Sequence, residues 1–167
     1  MPDVSLLYIH GFNSSPLSAK AQQMRKYFAM ACCGAGPVAL VGSSLGGFYA
    51  TWLAEHHGLK AVLVNPAVRP WQLLDQVPED MANYHTGEAY RFDKRWLDDL
   101  RHYELADMQH PENLLVLMQT GDDTLDWHDA WDYYADSHLY RGLGGSHSFD
   151  DFDAFIPLVL RFCGIRL

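Results

Sequence analysis

Basic residues are scarce in this chain. Twelve Lys and Arg stand against 21 Asp and Glu, a formal net charge of −9 over 167 residues. Nucleic-acid binding needs a basic stripe to neutralise phosphates, and none is visible, so nucleic acid is excluded as a partner. The same charge disfavours anionic membrane surfaces. No apolar run approaches the roughly 20 residues of a membrane-spanning helix, so no membrane insertion is expected. The opening Met1-Pro2-Asp3 lacks the basic region of a secretion signal. Cysteine is also rare, and Cys32, Cys33 and Cys163 make neither a disulfide framework nor a zinc spacing. A reducing, cytoplasmic location follows as the expectation. Metal-ligand clusters are missing too, since His56 and His57 are adjacent rather than one helical turn apart. What remains, 49% apolar and 20% charged residues without low-complexity tracts, is an ordinary globular composition. A chain of this length forms one domain and buries about 70% of its unfolded surface.

Against these absences one stretch stands out. The apolar run Val38-Ala39-Leu40-Val41 ends in Gly42-Ser43-Ser44-Leu45-Gly46 and continues into Phe48-Tyr49-Ala50-Thr51-Trp52-Leu53-Ala54, which reads as a helix. Gly-x-Ser-x-Gly between a strand and a helix is the pattern of a nucleophile on a strained turn, with glycines permitting close approach of strand and helix. Ser44 is the candidate nucleophile. Leu45 N–H, at the helix N-terminus, is a candidate oxyanion donor. The pentapeptide alone also fits a plain glycine-rich turn; a base and an acid must accompany it.

His147 is the candidate base. It lies in the glycine-rich stretch Leu143-Gly144-Gly145-Ser146-His147-Ser148-Phe149, ahead of a last helix expected from Phe155 to Phe162. It also follows the other two elements in the chain order Ser, Asp, His. The candidate acid is Asp122, the first carboxylate after the buried strand Leu114-Leu115-Val116-Leu117-Met118-Gln119-Thr120. Asp123 and Asp126 stay open as alternatives, and their other reading is solvated turn residues or the N-cap of a helix starting near Trp127.

A short strand, Ser5-Leu6-Leu7-Tyr8-Ile9, leads into His10-Gly11-Phe12-Asn13. A strand ending in His-Gly is where the second oxyanion donor is expected, and Phe12 N–H is the candidate. His10 is read as fixing that loop rather than as a second base.

These segments resemble the YqiA-like (UPF0227) esterases of the α/β-hydrolase superfamily. The likeness rests on residues 8–16, on Ser18-Ala19-Lys20-Ala21, on residues 41–53 and on Val64-Asn65-Pro66-Ala67-Val68-Arg69-Pro70. It extends to Tyr84-His85-Thr86-Gly87, Gln119-Thr120-Gly121-Asp122 and residues 144–149, and so runs from about Leu6 to the C-terminus. The resemblance implies a three-layer α/β sandwich with a mostly parallel central sheet, and hydrolysis of carboxylic esters or acyl thioesters without a cofactor. It carries the Ser-Asp-His triad onto Ser44, Asp122 and His147.

In one place the chain departs from that family. Relatives have a further strand and helix between the first helix (residues 18 to about 30) and the nucleophile strand; here only residues 31–36 intervene before Pro37. A first helix joined directly to the nucleophile strand would, by the right-handed crossover rule, change faces of the sheet. Either the chain is a minimal variant, or about two dozen residues of the family are missing from it; the handedness argument favours the second.

The strand Ala61-Val62-Leu63-Val64-Asn65 is followed by an excursion over residues 71–108, where a lid or cap is expected. Arg69 is a candidate for holding a substrate carboxylate or phosphate, its other reading being an ion pair with nearby acids. Trp71, Leu73, Leu74 and Trp96 are read as core or lid packing. The expected partner is a small-molecule acyl ester or thioester. Lactone or carbon–carbon hydrolysis on the same triad, and a non-catalytic binding protein on the same scaffold, are the alternatives.

Overall fold

The computed structural model describes residues 4–28, 37–83 and 86–165. Five parallel strands form the central sheet in the order β1 (Ser5–Ile9), β2 (Val38–Ser43), β3 (Lys60–Val64), β6 (Leu114–Gln119), β7 (His138–Gly142). Between β3 and β6 lies a small antiparallel pair, β4 (Asp80–Ala82) and β5 (Ala89–Arg91). The helices are α1 (Ala19–Phe28), α2 (Leu45–His57), α3 (Pro70–Leu74), α4 (Trp96–Arg101), α5 (Trp127–Tyr133) and α6 (Phe152–Phe162). No described helix is long and apolar enough to cross a membrane.

Strands buried on both faces read as nearly continuous apolar runs, and β3 and β6 do: Ala61–Val64 and Leu114–Met118 are apolar and buried, and buried Gln119 is the polar residue that ends β6. Their side chains alternate between two cores. Val41, Val62, Val64, Leu115 and Leu117 pack with α6 and with Met24 of α1, whereas Leu40, Leu63, Val116 and Met118 pack with Ala50 and Ala54 of α2 and Tyr134 after α5. The result is the expected three-layer sandwich. The register aligns Ile9 with Gly42, Ser43 with Val64, and Gln119 with Gly142, so every central strand ends at one edge.

Helix α1 lies on the α6 face, opposite α2 and α5. The steps β1→β2, β2→β3 and β6→β7 all run the same way across the sheet, so right-handed connections would put all three helices on one face. The β1–α1–β2 connection therefore has the opposite hand to the other two. The change of faces that a direct right-handed connection would require is not seen: α1 keeps Met24, 2% exposed, in the core cluster shared with α6. The connection passes through residues 29–36, outside the described residues, as do Cys32 and Cys33. Cys163 is buried at the end of α6, and burial pushes its thiol up to about 12.

Candidate active site

Ser44 sits between β2 and α2 with φ 56° and ψ −122°, a backbone conformation that L-residues avoid. Such a conformation costs on the order of 1–3 kcal/mol and persists because its surroundings over-determine it. Ser44 N–H donates to Val64 O (3.0 Å), and Ser44 O accepts from Gly47 N (2.9 Å) and Ala67 N (3.1 Å). A Cβ at Gly42 would strike the Gly46 carbonyl, and one at Gly46 would strike the carbonyl of Ile9. Both glycines are thus what lets α2 start against the ends of β1 and β2.

The other two predicted side chains come to the same place. Asp122 follows β6 and His147 lies in the loop between β7 and α6. His147 Nδ1 is 2.8 Å from Asp122 Oδ2 and 3.0 Å from Oδ1, and Nε2 is 3.0 Å from Ser44 Oγ. A carboxylate only accepts, so Nδ1 carries the proton toward Asp122 and Nε2 accepts from the Ser44 hydroxyl. The Asp122 side chain is 2% exposed. Burial pushes its carboxyl up, but the hydrogen bond and attraction from His147, with the N–H groups of Leu125 and Thr124, outweigh burial and hold it below its ordinary value.

The neighbouring carboxylates are elsewhere. Asp126 caps α5, accepting from His128 N at 3.0 Å, and Asp123 is exposed beside the Thr124 hydroxyl. Arg69 is exposed in a separate cavity of about 180 Å³ with Asp126 and Asp129, apart from Ser44; no described carboxylate lies within 4 Å of it. His10 Nδ1 is 3.0 Å from the Gly11 carbonyl oxygen, a contact inside its own loop.

The backbone N–H groups of Phe12 and Leu45 have no acceptor among the described residues. Phe12 borders two cavities. One, of about 440 Å³, contains Ser44 and His147; the other, about 350 Å³, is mostly apolar, walled among others by Phe12, Leu45, Phe92, Trp96 and Leu100, with Asp99 the one charged residue among the described residues lining it. The second belongs to the excursion, whose Trp71, Leu74, Phe92, Leu97 and Leu100 form a third apolar cluster with Phe48. Trp71 and Leu74 are packed as expected, whereas Leu73 is exposed and lines the cavity of Arg69. Trp96 is half-exposed and forms cavity wall instead.

Three residues with no role assigned from sequence hold the site together. Buried Asn65, at φ 41°, donates from Nδ2 to Ser146 O (3.0 Å) and His147 O (3.1 Å), and its Oδ1 accepts from Gln119 N (3.0 Å). Gln119 Oε1 accepts from Ser146 N (3.2 Å) and Asp150 N (2.7 Å), and its Nε2 donates to Asp150 O (3.0 Å). Lys20 Nζ donates to Ser148 O at 3.0 Å. Together they clamp both sides of His147. All three stand in the motifs that carry the family likeness, and that was the available signal.

Comparison with known proteins agrees with this architecture. The model of the uncharacterised protein family UPF0227 matches residues 5–35 and 29–164. The two matches meet at residues 29–35, on the connection whose hand is reversed. Among solved structures, a protein from Agrobacterium vitis S4 has a TM-score of 0.68 at 16% identity, over 95% of this chain and 87% of that one. The ferulic-acid complex of Est1E from Butyrivibrio proteoclasticus has a TM-score of 0.65 at 10% identity, covering 96% and 87%. The metagenome-derived lipolytic enzymes LipS and LipT give 0.65 at 13%, covering 98% and 94%. These likenesses establish the α/β-hydrolase fold.

Proposed function

This chain belongs to the UPF0227 family, and we propose that it is a serine hydrolase of carboxylic esters or acyl thioesters. The supporting observation is the unbroken line Asp122–His147–Ser44, with spacings of 2.8 and 3.0 Å, on a strained serine. In this reading Ser44 Oγ attacks the acyl carbon as His147 Nε2 takes its proton. Asp122 fixes the tautomer and stabilises the imidazolium. The N–H groups of Phe12 and Leu45, which have no acceptor among the described residues, receive the developing oxyanion, each worth roughly 2.7–4 kcal/mol in the transition state. His147 then returns the proton to the departing alcohol or thiol, and water attacks the acyl-enzyme by the reverse route.

Two features support a choice of sides. The leaving group must approach Nε2 to be protonated, and His147 lines the 440 Å³ cavity but not the apolar one. The acyl chain then occupies the apolar cavity under the excursion, which acts as a lid. Hydrolysis of 4-nitrophenyl acyl esters tests the reading. Ser44→Ala should lower kcat by about 10⁶-fold; a variant rate close to the parent's would refute it.

A further inference from the structure

The cavity holding Ser44 and His147 is polar on the side away from the excursion. Tyr8, Ser14, Ser18 and Ser148 contribute to its wall, and Lys20 is the one lysine or arginine among the described residues lining it. Most lysines keep their ammonium in water, because desolvating a charge without a partner is costly. Lys20 is instead partly buried. Its hydrogen-bond partner is a neutral carbonyl, Ser148 O, and no described carboxylate lies within 4 Å of Nζ. Asp122 is near enough for its charge to act on Lys20, but its oxygens are already engaged by His147, Thr124 and Leu125. Burial accordingly pulls the ammonium down to about 8. An ammonium has three donors, and Ser148 O uses one.

The geometry points to Lys20 as a specificity residue that binds an anionic group, a carboxylate or phosphate, on the leaving-group portion of the substrate. The side of the scissile bond follows from the chemistry above: the portion that His147 must protonate lies in the cavity that Lys20 lines. Lys20 would supply the charge-assisted hydrogen bond that orients the departing alcohol or thiol. This rests on the serine-hydrolase reading and narrows it to esters with an anionic leaving group. A purely structural Lys20, tying α1 to the His147 loop, would raise no preference between substrates.

The test compares 4-(butyryloxy)benzoate with the neutral, equally shaped 4-(butyryloxy)benzamide. The parent protein should favour the carboxylate by about tenfold or more in kcat/KM, mostly through KM. Lys20→Met should bring that ratio to near one, and Lys20→Arg should restore part of it. A carboxylate on the acyl side, in mono(4-nitrophenyl) glutarate against 4-nitrophenyl pentanoate, should gain nothing. Equal turnover of the first pair, an equal fall on both in Lys20→Met, or a gain confined to the acyl-side carboxylate would overturn the assignment. Fluorophosphonate labelling in the same samples separates the two layers. Labelling at Ser44 without charge discrimination refutes Lys20 alone; no labelling refutes the hydrolase reading with it.

Discussion

Asn65 and His147 are 82 positions apart in the chain, yet Asn65 Nδ2 donates to the His147 carbonyl at 3.1 Å. The amide also reaches Ser146 O, and its oxygen receives Gln119 N–H, so one buried side chain ties the β3, β6 and β7 loops beneath the imidazole.

Removing that tie should cost both stability and rate. Asn65→Ala leaves Gln119 N–H without its acceptor and forces a Cβ-only residue to hold φ 41°. Stability should fall by roughly 2–3 kcal/mol. kcat should fall at least tenfold as the His147 loop loosens, since small misplacements cost rates of that size or more. Asn65→Asp keeps the acceptor but sets a carboxylate against two carbonyl oxygens, and should be no better. Urea unfolding and ester turnover read both effects.

The three carboxylates after β6 should separate cleanly. Asp122→Asn should lower kcat on the order of 10⁴-fold by removing control of the His147 tautomer. Asp126→Ala should leave the rate nearly intact and cost about 1 kcal/mol as a lost N-cap. A larger rate loss at Asp123 or Asp126 than at Asp122 would reassign the acid.

The preference for anionic leaving groups should depend on pH with a definite sign. Lys20 is held near 8 by burial, well below a free lysine. Its ammonium is present below that value and disappears as pH rises through it. The ratio between the carboxylate and amide esters should therefore be constant from about pH 6 to 7.5 and shrink above pH 8, while Lys20→Met shows a flat ratio. A ratio that rises above pH 8 would contradict this.

The sheet should be most tolerant at β1. The strand order ends there, and Leu7 is 49% exposed in the middle of the strand. Leu7→Thr should change stability by less than about 0.5 kcal/mol. Leu63→Ala, fully buried in β3, should cost about 2–5 kcal/mol. Thermal or urea denaturation distinguishes them.

The strands β2, β3 and β6 were legible because parallel strands buried on both faces leave continuous apolar runs, and β1, an edge strand that is only partly buried, was legible from its short apolar run Leu6-Leu7-Tyr8-Ile9. Ser44, between two glycines, was legible because that turn admits few other residues. The rest depends on distance along the chain or on weak local pattern. β4 and β5 have three residues each and β7 is mostly exposed, so neither leaves an apolar run. Lys20 meets Ser148 across 128 positions, and no local periodicity encodes that contact. The reversed β1–α1–β2 hand is different: the shortness of residues 31–36 flagged it, but packing of Met24 against α6 decided which face α1 kept.

The most direct test of the central claim is intact-protein mass spectrometry after treatment with a fluorophosphonate, beside a Ser44→Ala control. The expected result is one adduct on the 19.0 kDa chain, absent from the control. Folded protein that takes up no adduct, or an adduct that survives Ser44→Ala, would contradict an activated serine at position 44.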